Sequence, residues 1–222
     1  MDNYKELFSG DQMFLQWYGN TIIMTVLTLV IKTFIVCITA YAFAKLNFKG
    51  KNVIFIIFLS SMMMPGDVTM VQRYIIYKQI HLINTMWTLI LPASFDMYFV
   101  FMMRQFFMDI PNSLSEVAIM DGCSHFKIFY KIMIPLAKPA ILTMLLFSFV
   151  WQWNDYTDPF IFITDISKQM LPVGLSTFQV LKVTNYAAQM AGATLALLPI
   201  IVVYLFMQKY FVEGIATSGI KG

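Results

Sequence analysis

Few residues in this chain are placed to do covalent chemistry. Its two histidines, His81 and His125, fall in separate polar segments, and its two cysteines occupy an apolar run (Cys37) and a polar loop (Cys123). Neither pair has the spacing of a metal site or a disulfide framework, and no acid–base cluster forms around either histidine. Glu116 and Asp121 are carboxylates five positions apart in a polar interruption. They read as capping or partner-binding groups, because no substrate cleft is implied beside them. A phosphate-cradling G-x-x-x-x-G-K-[ST] run does not occur. Binding and movement remain as the work this chain can do.

Binding chemistry concentrates in Trp151, Trp153, Asn154 and Asp155. Indole faces stack on the apolar faces of sugar rings, and amide and carboxylate groups hold hydroxyls. The same set also suits an interfacial aromatic belt with helix caps. Pro65-Gly66 breaks a second apolar run, and such a break is tolerated where backbone lines a cavity or is buried in protein. Both residues are therefore placed near a translocation path. Lys32 stands inside another apolar run, where a charge costs roughly 2.5–3.5 kcal/mol on insertion scales. It either lines a path, or pairs with a neighbouring span or snorkels along its stem. Gln72, Asn84 and Asp96 are lesser candidates that suit hydrogen bonding to broken helices. Met62–Met64 reads as packing.

The elements that position these groups follow from composition. Apolar residues make up 59% of the 222 and charged residues only 12%, about half the charge of an ordinary soluble domain. Apolar windows of about 20 residues, enough to cross a bilayer, lie near 20–43, 53–77, 86–107, 139–163 and 192–211. The fold class expected is all-α: a polytopic helical bundle in a membrane. The opening residues 1–19 are polar and acidic and lack the basic-then-apolar order of a signal peptide.

The net charge of +3 has its explanation in topology and implies no nucleic-acid partner. One set of loops carries Lys45, Lys49, Lys51, Arg104, Lys127, Lys131, Lys138, Lys209 and Lys221; the other carries Lys5, Arg73, Lys78, Lys168 and Lys182. The richer set marks the cytoplasmic side. The N-terminus is then extracytoplasmic, and the loop 111–138 and the tail 213–222 are cytoplasmic.

That loop has structure of its own. Ser113 followed by Glu116 is a capping box after Pro111, so a helix is expected to start there. Gly122 suits the left-handed residue that ends a helix, and Ser124 suits the cap of a second, amphipathic helix that Pro135 stops. An interfacial linker with Lys127 and Lys131 facing headgroups shares this pattern.

The spacing is more specific. Glu116-Val117-Ala118, three residues, Gly122, nine residues, then Ile132-x-Ile134-Pro135 resembles the EAA loop of permease subunits from binding-protein-dependent ABC importers. Val117 stands at the second alanine position of that motif and Ile134 at its leucine. Asn20-Thr21, Ala40-Tyr41-Ala42-Phe43-Ala44, Met64-Pro65-Gly66-Asp67-Val68-Thr69 and Arg104-Gln105-Phe106-Phe107 resemble the carbohydrate branch. So do Trp153-Asn154-Asp155, Leu171-Pro172-Val173-Gly174-Leu175, Met190-Ala191-Gly192-Ala193 and the ending from Gln208 to Gly222. The likeness runs from residue 20 onward.

What the resemblance implies is a type I importer permease in the bacterial inner membrane, with an extracytoplasmic segment 1–19, a transmembrane domain 20–212 and a cytoplasmic tail 213–222. Glu116, Val117, Ala118, Asp121, Gly122, Ile132 and Pro135 would receive conformational work from a separate ABC ATPase dimer. That dimer would use ATP and magnesium, and this chain would bind no cofactor. The implied partners are a second homologous permease, an extracytoplasmic solute-binding protein, membrane lipid and a sugar. Members of the family usually have six spans; five are visible here, and residues 1–19 resemble the loop that follows the first. A non-sugar solute such as a glycerol phosphate ester, an ion-coupled secondary transporter and a membrane enzyme are the alternatives. Internal repeats and paired intramembrane charges, which favour the secondary transporter, are not visible.

Overall fold

A computed structural model of the protein describes residues 7–8, 13–177 and 186–219. Much of the expected segment 1–19, Lys182 and the last three residues lie outside these. Every regular element among the described residues is helical, so the all-α expectation holds. Two compact units divide the chain. The first comprises Met1–Leu29, Met70–Ala93 and Leu146–Phe206; the second comprises Val30–Thr69, Ser94–Leu145 and Met207–Gly222.

Among the described residues, two helices are long and apolar enough to cross a membrane unbroken. They are α1 (Phe14–Lys45) and, within the last helix, the stretch Gln189–Gln208. α1 begins ahead of Asn20, because Phe14 and Trp17 continue its buried side at 1% and 4% exposure. The other three expected spans are interrupted. The window 53–77 divides into α2 (Lys51–Ser61), a 3-10 turn at Gly66–Thr69 and α3 (Met70–Gln79), with Pro65-Gly66 in the break as expected. The Met62–Met64 run there is exposed, so these methionines do not pack within the chain.

The window 86–107 is also two helices, α4 (Trp87–Ser94) and α5 (Met97–Asp109), where one span was expected. Asp96 is extended, with φ −114° and ψ 104°, and its carboxylate accepts the Tyr98 N–H at 3.1 Å. An aspartate that caps the next helix this way competes with continuation of the previous one. Pro92 has already removed a donor from the last turn of α4.

The polar loop forms α6 (Asn112–Met120) and α7 (His125–Ile128), which leads through a π turn at Phe129–Met133 into an α turn at Ile134–Leu136. α8 (Lys138–Trp153) follows after a 75° bend. If that bent pair counts as one span, the candidate spans among the described residues number three. α9 (Thr157–Phe162), α10 (Leu171–Thr177) and α11 (Tyr186–Gly219) complete the order.

The first unit is pinned around the segment from α9 to α10. Trp17 Nε1 donates to Ile166 O at 2.7 Å, and Asn20 Nδ2 donates to Ser167 O and Gln169 O at 3.0 and 3.1 Å. Thr21 Oγ1 accepts the Leu171 N–H at 2.8 Å. Backbone that leaves a helix in apolar surroundings must find such partners. Nearby, the Trp17 ring lies against Gly174, where a Cβ would fall 2.2 Å from ring carbons.

Gly174→Ala therefore forces the buried indole and its bond to Ile166 to move. Overpacking of this kind costs about 1–3 kcal/mol. The midpoint of thermal unfolding of the purified, detergent-solubilised protein should fall, with Gly19→Ala, where a Cβ meets nothing within 4 Å, as the comparison.

Candidate functional site

The loop 111–138 lies wholly within the second unit. α6 starts two residues earlier than the capping box would place it. Pro111 precedes it with φ −56° and ψ 134°, and no side chain caps the start. The capping box is thus not formed: Ser113 sits inside the first turn. The reason lies outside the loop. Lys45, at the end of α1, donates to Ile110 O and, at 2.7 Å, to Asn112 Oδ1, fixing where the chain enters α6.

The end of α6 agrees with expectation. Gly122 is left-handed at φ +76°; its N–H bonds Ile119 O at 2.9 Å, and the Cys123 N–H bonds Ala118 O at 2.9 Å. This pair of bonds is the Schellman arrangement. Ser124 then caps α7, its Oγ accepting the Lys127 N–H at 3.3 Å. Pro135 does not stop the helix. The Ile134 N–H reaches back five residues to Phe129 O, and this widened turn accommodates a proline that an α turn would exclude. The sharp bend falls instead between Leu136 and Lys138.

Burial divides the expected loop residues. Ala118 (6% exposed) packs with Tyr41, Phe107, Ile128, Phe129 and Met133, and Ile132 lies against that cluster. Tyr41 Oη donates to His125 O at 3.3 Å. Glu116, Asp121, Gly122 and Pro135 are exposed. So are Leu114, Val117, Ile119 and Met120, the last at 79%. α6 therefore presents a largely apolar outer face while one alanine anchors it. Beside it a cleft of about 600 Å³ is lined by Tyr41, Lys45, Asn112, Ser115, Glu116 and His125, among others. Ser115 Oγ is buried with no hydrogen-bond partner among the described residues.

The aromatic–polar set does not converge. Trp153 (3% exposed) donates through Nε1 to Ala196 O at 3.0 Å and stacks on Phe149 at 5.5 Å. It is a packing residue of the first unit. Trp151, two positions earlier, is 53% exposed, because that spacing puts it on another face of α8. Asn154 Nδ2 closes its own helix by donating to Val150 O at 2.7 Å, and Asp155 Oδ1 accepts the Asp158 N–H at 3.4 Å. Gly66, exposed in the break after α2, has open space around its Cα.

Several structural cations escaped sequence reasoning. Arg73 meets Asp158 in a bidentate pair at 2.8 and 2.9 Å, tying α3 to α9 inside the first unit. Asn84, left-handed at φ 64°, accepts the Thr164 and Asp165 N–H groups at 3.2 and 3.0 Å. The Ser167 hydroxyl and N–H hold the half-buried Asp165 carboxyl below its ordinary range. In the second unit, Lys51 donates to Leu46 O at 2.8 Å and Arg104 Nε to Phe43 O at 3.1 Å, so cations meet the open carbonyls at the end of α1. The excess of basic residues in these loops was the available signal.

Residues 33–217 match the family model described as binding-protein-dependent transport system inner membrane component. The arabinooligosaccharides transport system permease protein AraQ of Bacillus subtilis is 36% identical over 221 residues, covering 100% of this chain and 79% of its own length. The maltodextrin transport system permease protein MalD of Streptococcus pneumoniae is 30% identical over 232 residues, covering 100% and 80% respectively. A crystal structure of a bacterial ABC transporter involved in the import of the acidic polysaccharide alginate contains a similar chain. Its TM-score is 0.84 at 27% identity, over 94% of this chain and 79% of that one.

Lys45→Met removes the tie between α1 and the entry to α6. Hydrogen bonds to charged groups are worth roughly 1.5–3 kcal/mol, reduced here by exposure. Amide hydrogen exchange across 113–122 should accelerate by about tenfold, read by mass spectrometry, while exchange across α9 and α10 stays unchanged.

Proposed function

The chain belongs to the family of binding-protein-dependent transport system inner membrane components, and from that premise we propose that it is one permease subunit of an ATP-driven sugar importer. It forms half of a translocation path with a second, homologous permease. ATP hydrolysis, with its magnesium, takes place on a separate ABC ATPase dimer, and an extracytoplasmic binding protein delivers the solute. The sugar assignment is supported by what the similar permeases of B. subtilis and S. pneumoniae are named for.

The observation that carries the coupling role is the outer face of α6. A short helix that exposes Leu114, Val117, Ile119 and Met120 beside Asn112, Ser113 and Glu116 has the form of an element that lies in a groove on a partner. With the loop on the cytoplasmic side, that partner is the ATPase. Val117 supplies contact area, Ala118 anchors the helix from behind, and Glu116 and Asp121 offer charges to cationic partners at the groove's edge. Gly122 makes the corner that holds the helix proud of the chain. Ile132 and Pro135 belong to the support beneath it. For the path itself, Trp151 is the retained stacking group, with Asn154, Asp155 and the Pro65-Gly66 break as the polar and backbone groups assigned to the path.

Reconstitution of the four-component assembly in proteoliposomes tests this. ATP-dependent uptake of arabinotriose or maltotriose is the expected result; uptake driven by a proton or sodium gradient in this chain alone would overturn it. Gly122→Asp is the informative variant. A Cβ at Gly122 meets nothing within 4 Å in this chain, and aspartate tolerates left-handed backbone better than most residues. The variant should insert and fold yet lose ATPase association in pull-down and lose uptake with it. Wild-type association and uptake in Gly122→Asp would sink the coupling role.

A further inference from the structure

Lys32 lies in the middle of α1 with 4% of its surface exposed. Its ammonium is 3.1 Å from Asp96 Oδ2 and 5.1 Å from the centre of the Phe99 ring. The residues assigned above to the path and to ATPase docking do not include Lys32. A buried ion pair is a poor means of raising stability, since an apolar pair of similar volume commonly does as well or better. What such a pair does supply is a fixed geometry.

Asp96 serves two partners at once. Its Oδ1 accepts the Tyr98 N–H at the start of α5, while Oδ2 takes the ammonium from α1. One carboxylate thus locks the first turn of α5 to the middle of α1. Farther along the same two helices, Arg104 Nε donates to Phe43 O at 3.1 Å, and Lys45 reaches Ile110 O and Asn112 Oδ1. Between these braces Val36, Cys37, Ala40, Phe99, Met103 and Phe107 form an apolar seam, each no more than 1% exposed. Close-packed interiors transmit displacement because they deform little. The second half of α1 and all of α5 are therefore a braced pair inside the second unit, joined through Asn112 to α6.

We propose that Lys32 and Asp96 are a positioning pair for energy coupling: they fix the register of α5 against α1, so that displacement delivered at α6 moves both helices together. The pair touches neither sugar nor nucleotide and acts through the helices it locks. This inference rests on the coupling role of the loop 111–138.

The test uses the complete assembly in proteoliposomes, with ATP hydrolysed per arabinotriose or maltotriose imported as the readout. The double variant Lys32→Met/Asp96→Asn removes both charges together and leaves no orphaned ion, and asparagine still caps α5. It should assemble and hydrolyse ATP, with the ATP-to-sugar ratio raised by at least about fivefold, the lower end of typical inter-site coupling. Asp96→Asn alone is the second variant and should raise the ratio in the same direction. Lys32→Arg keeps the charge and should hold the wild-type ratio. A wild-type ratio in either variant that breaks the pair, or hydrolysis and uptake falling in parallel, overturns the positioning role. Absence of ATP-driven uptake in the wild-type assembly would instead overturn the permease reading, and the pair's role with it.

Discussion

A backbone surrounded by hydrocarbon has no water to satisfy its N–H and C=O groups, so every helix break within it needs a repair from inside the protein. This constraint organises the chain. Where the 86–107 run breaks, Asp96 supplies a cap. At the end of α1, Lys45, Lys51 and Arg104 bring cations to backbone carbonyls or to the turn that follows. The end of α2 is treated more cheaply, with Ser60 and Ser61 hydroxyls donating to Ile56 O and Phe58 O. After α8, Asn154 folds back onto Val150. Polar side chains that look like binding groups in an apolar sequence are often the residues that make an interruption tolerable.

Packing and polarity then divide the work. Within the second unit, a continuous cluster from Val36 to Met144 holds α5, the π turn and α7 together, and Ala118 is the one α6 residue drawn into it. Apart from the half-buried Ser115, the rest of α6 turns outward. A segment firmly seated by its neighbours yet apolar on its free side suits transmission of force, since contact made on that side is carried into a rigid body. The first unit shows a different emphasis. Trp17, Asn20, Thr21, Arg73 and Asn84 spend their polar groups on the segment from α9 to the start of α10, so that the irregular backbone within it is tied to its neighbours.

Local chemistry was the legible part of the sequence. Gly122, Ser124 and the Pro65-Gly66 break depend on the conformational habits of single residues, and all three stand where their types imply. Features decided by distant partners were illegible. Ser113 and Glu116 have the spacing of a capping box, but Lys45 sets the start of α6 from 67 residues away. Pro135 reads as a stop only if the preceding turn is α-helical, and that turn is wider. The break at Phe95-Asp96 carries neither glycine nor proline, and Asp96 as an N-cap was the faint signal for it. Trp151 and Trp153 share a composition, and nothing short of the Ala196 carbonyl reveals which of them is buried. The family resemblance rested on the fixed spacing from Glu116 to Pro135, a pattern robust to all of these misreadings.

The widened turn at Phe129–Met133 carries a consequence for how this region can vary. A π turn holds one residue more than the α turn it replaces, so the helical phase before it and after it differs by one position, about 100°. Shortening the chain by a single residue with the wide turn kept would shift everything upstream by one position about the helix axis. Ala118 would leave its seat and the outer face of α6 would be re-aimed. Length between Phe129 and Pro135 is therefore a constraint of its own, separate from the packing of Phe129 and Met133 in the core, and it bears on insertion and deletion where packing bears on substitution.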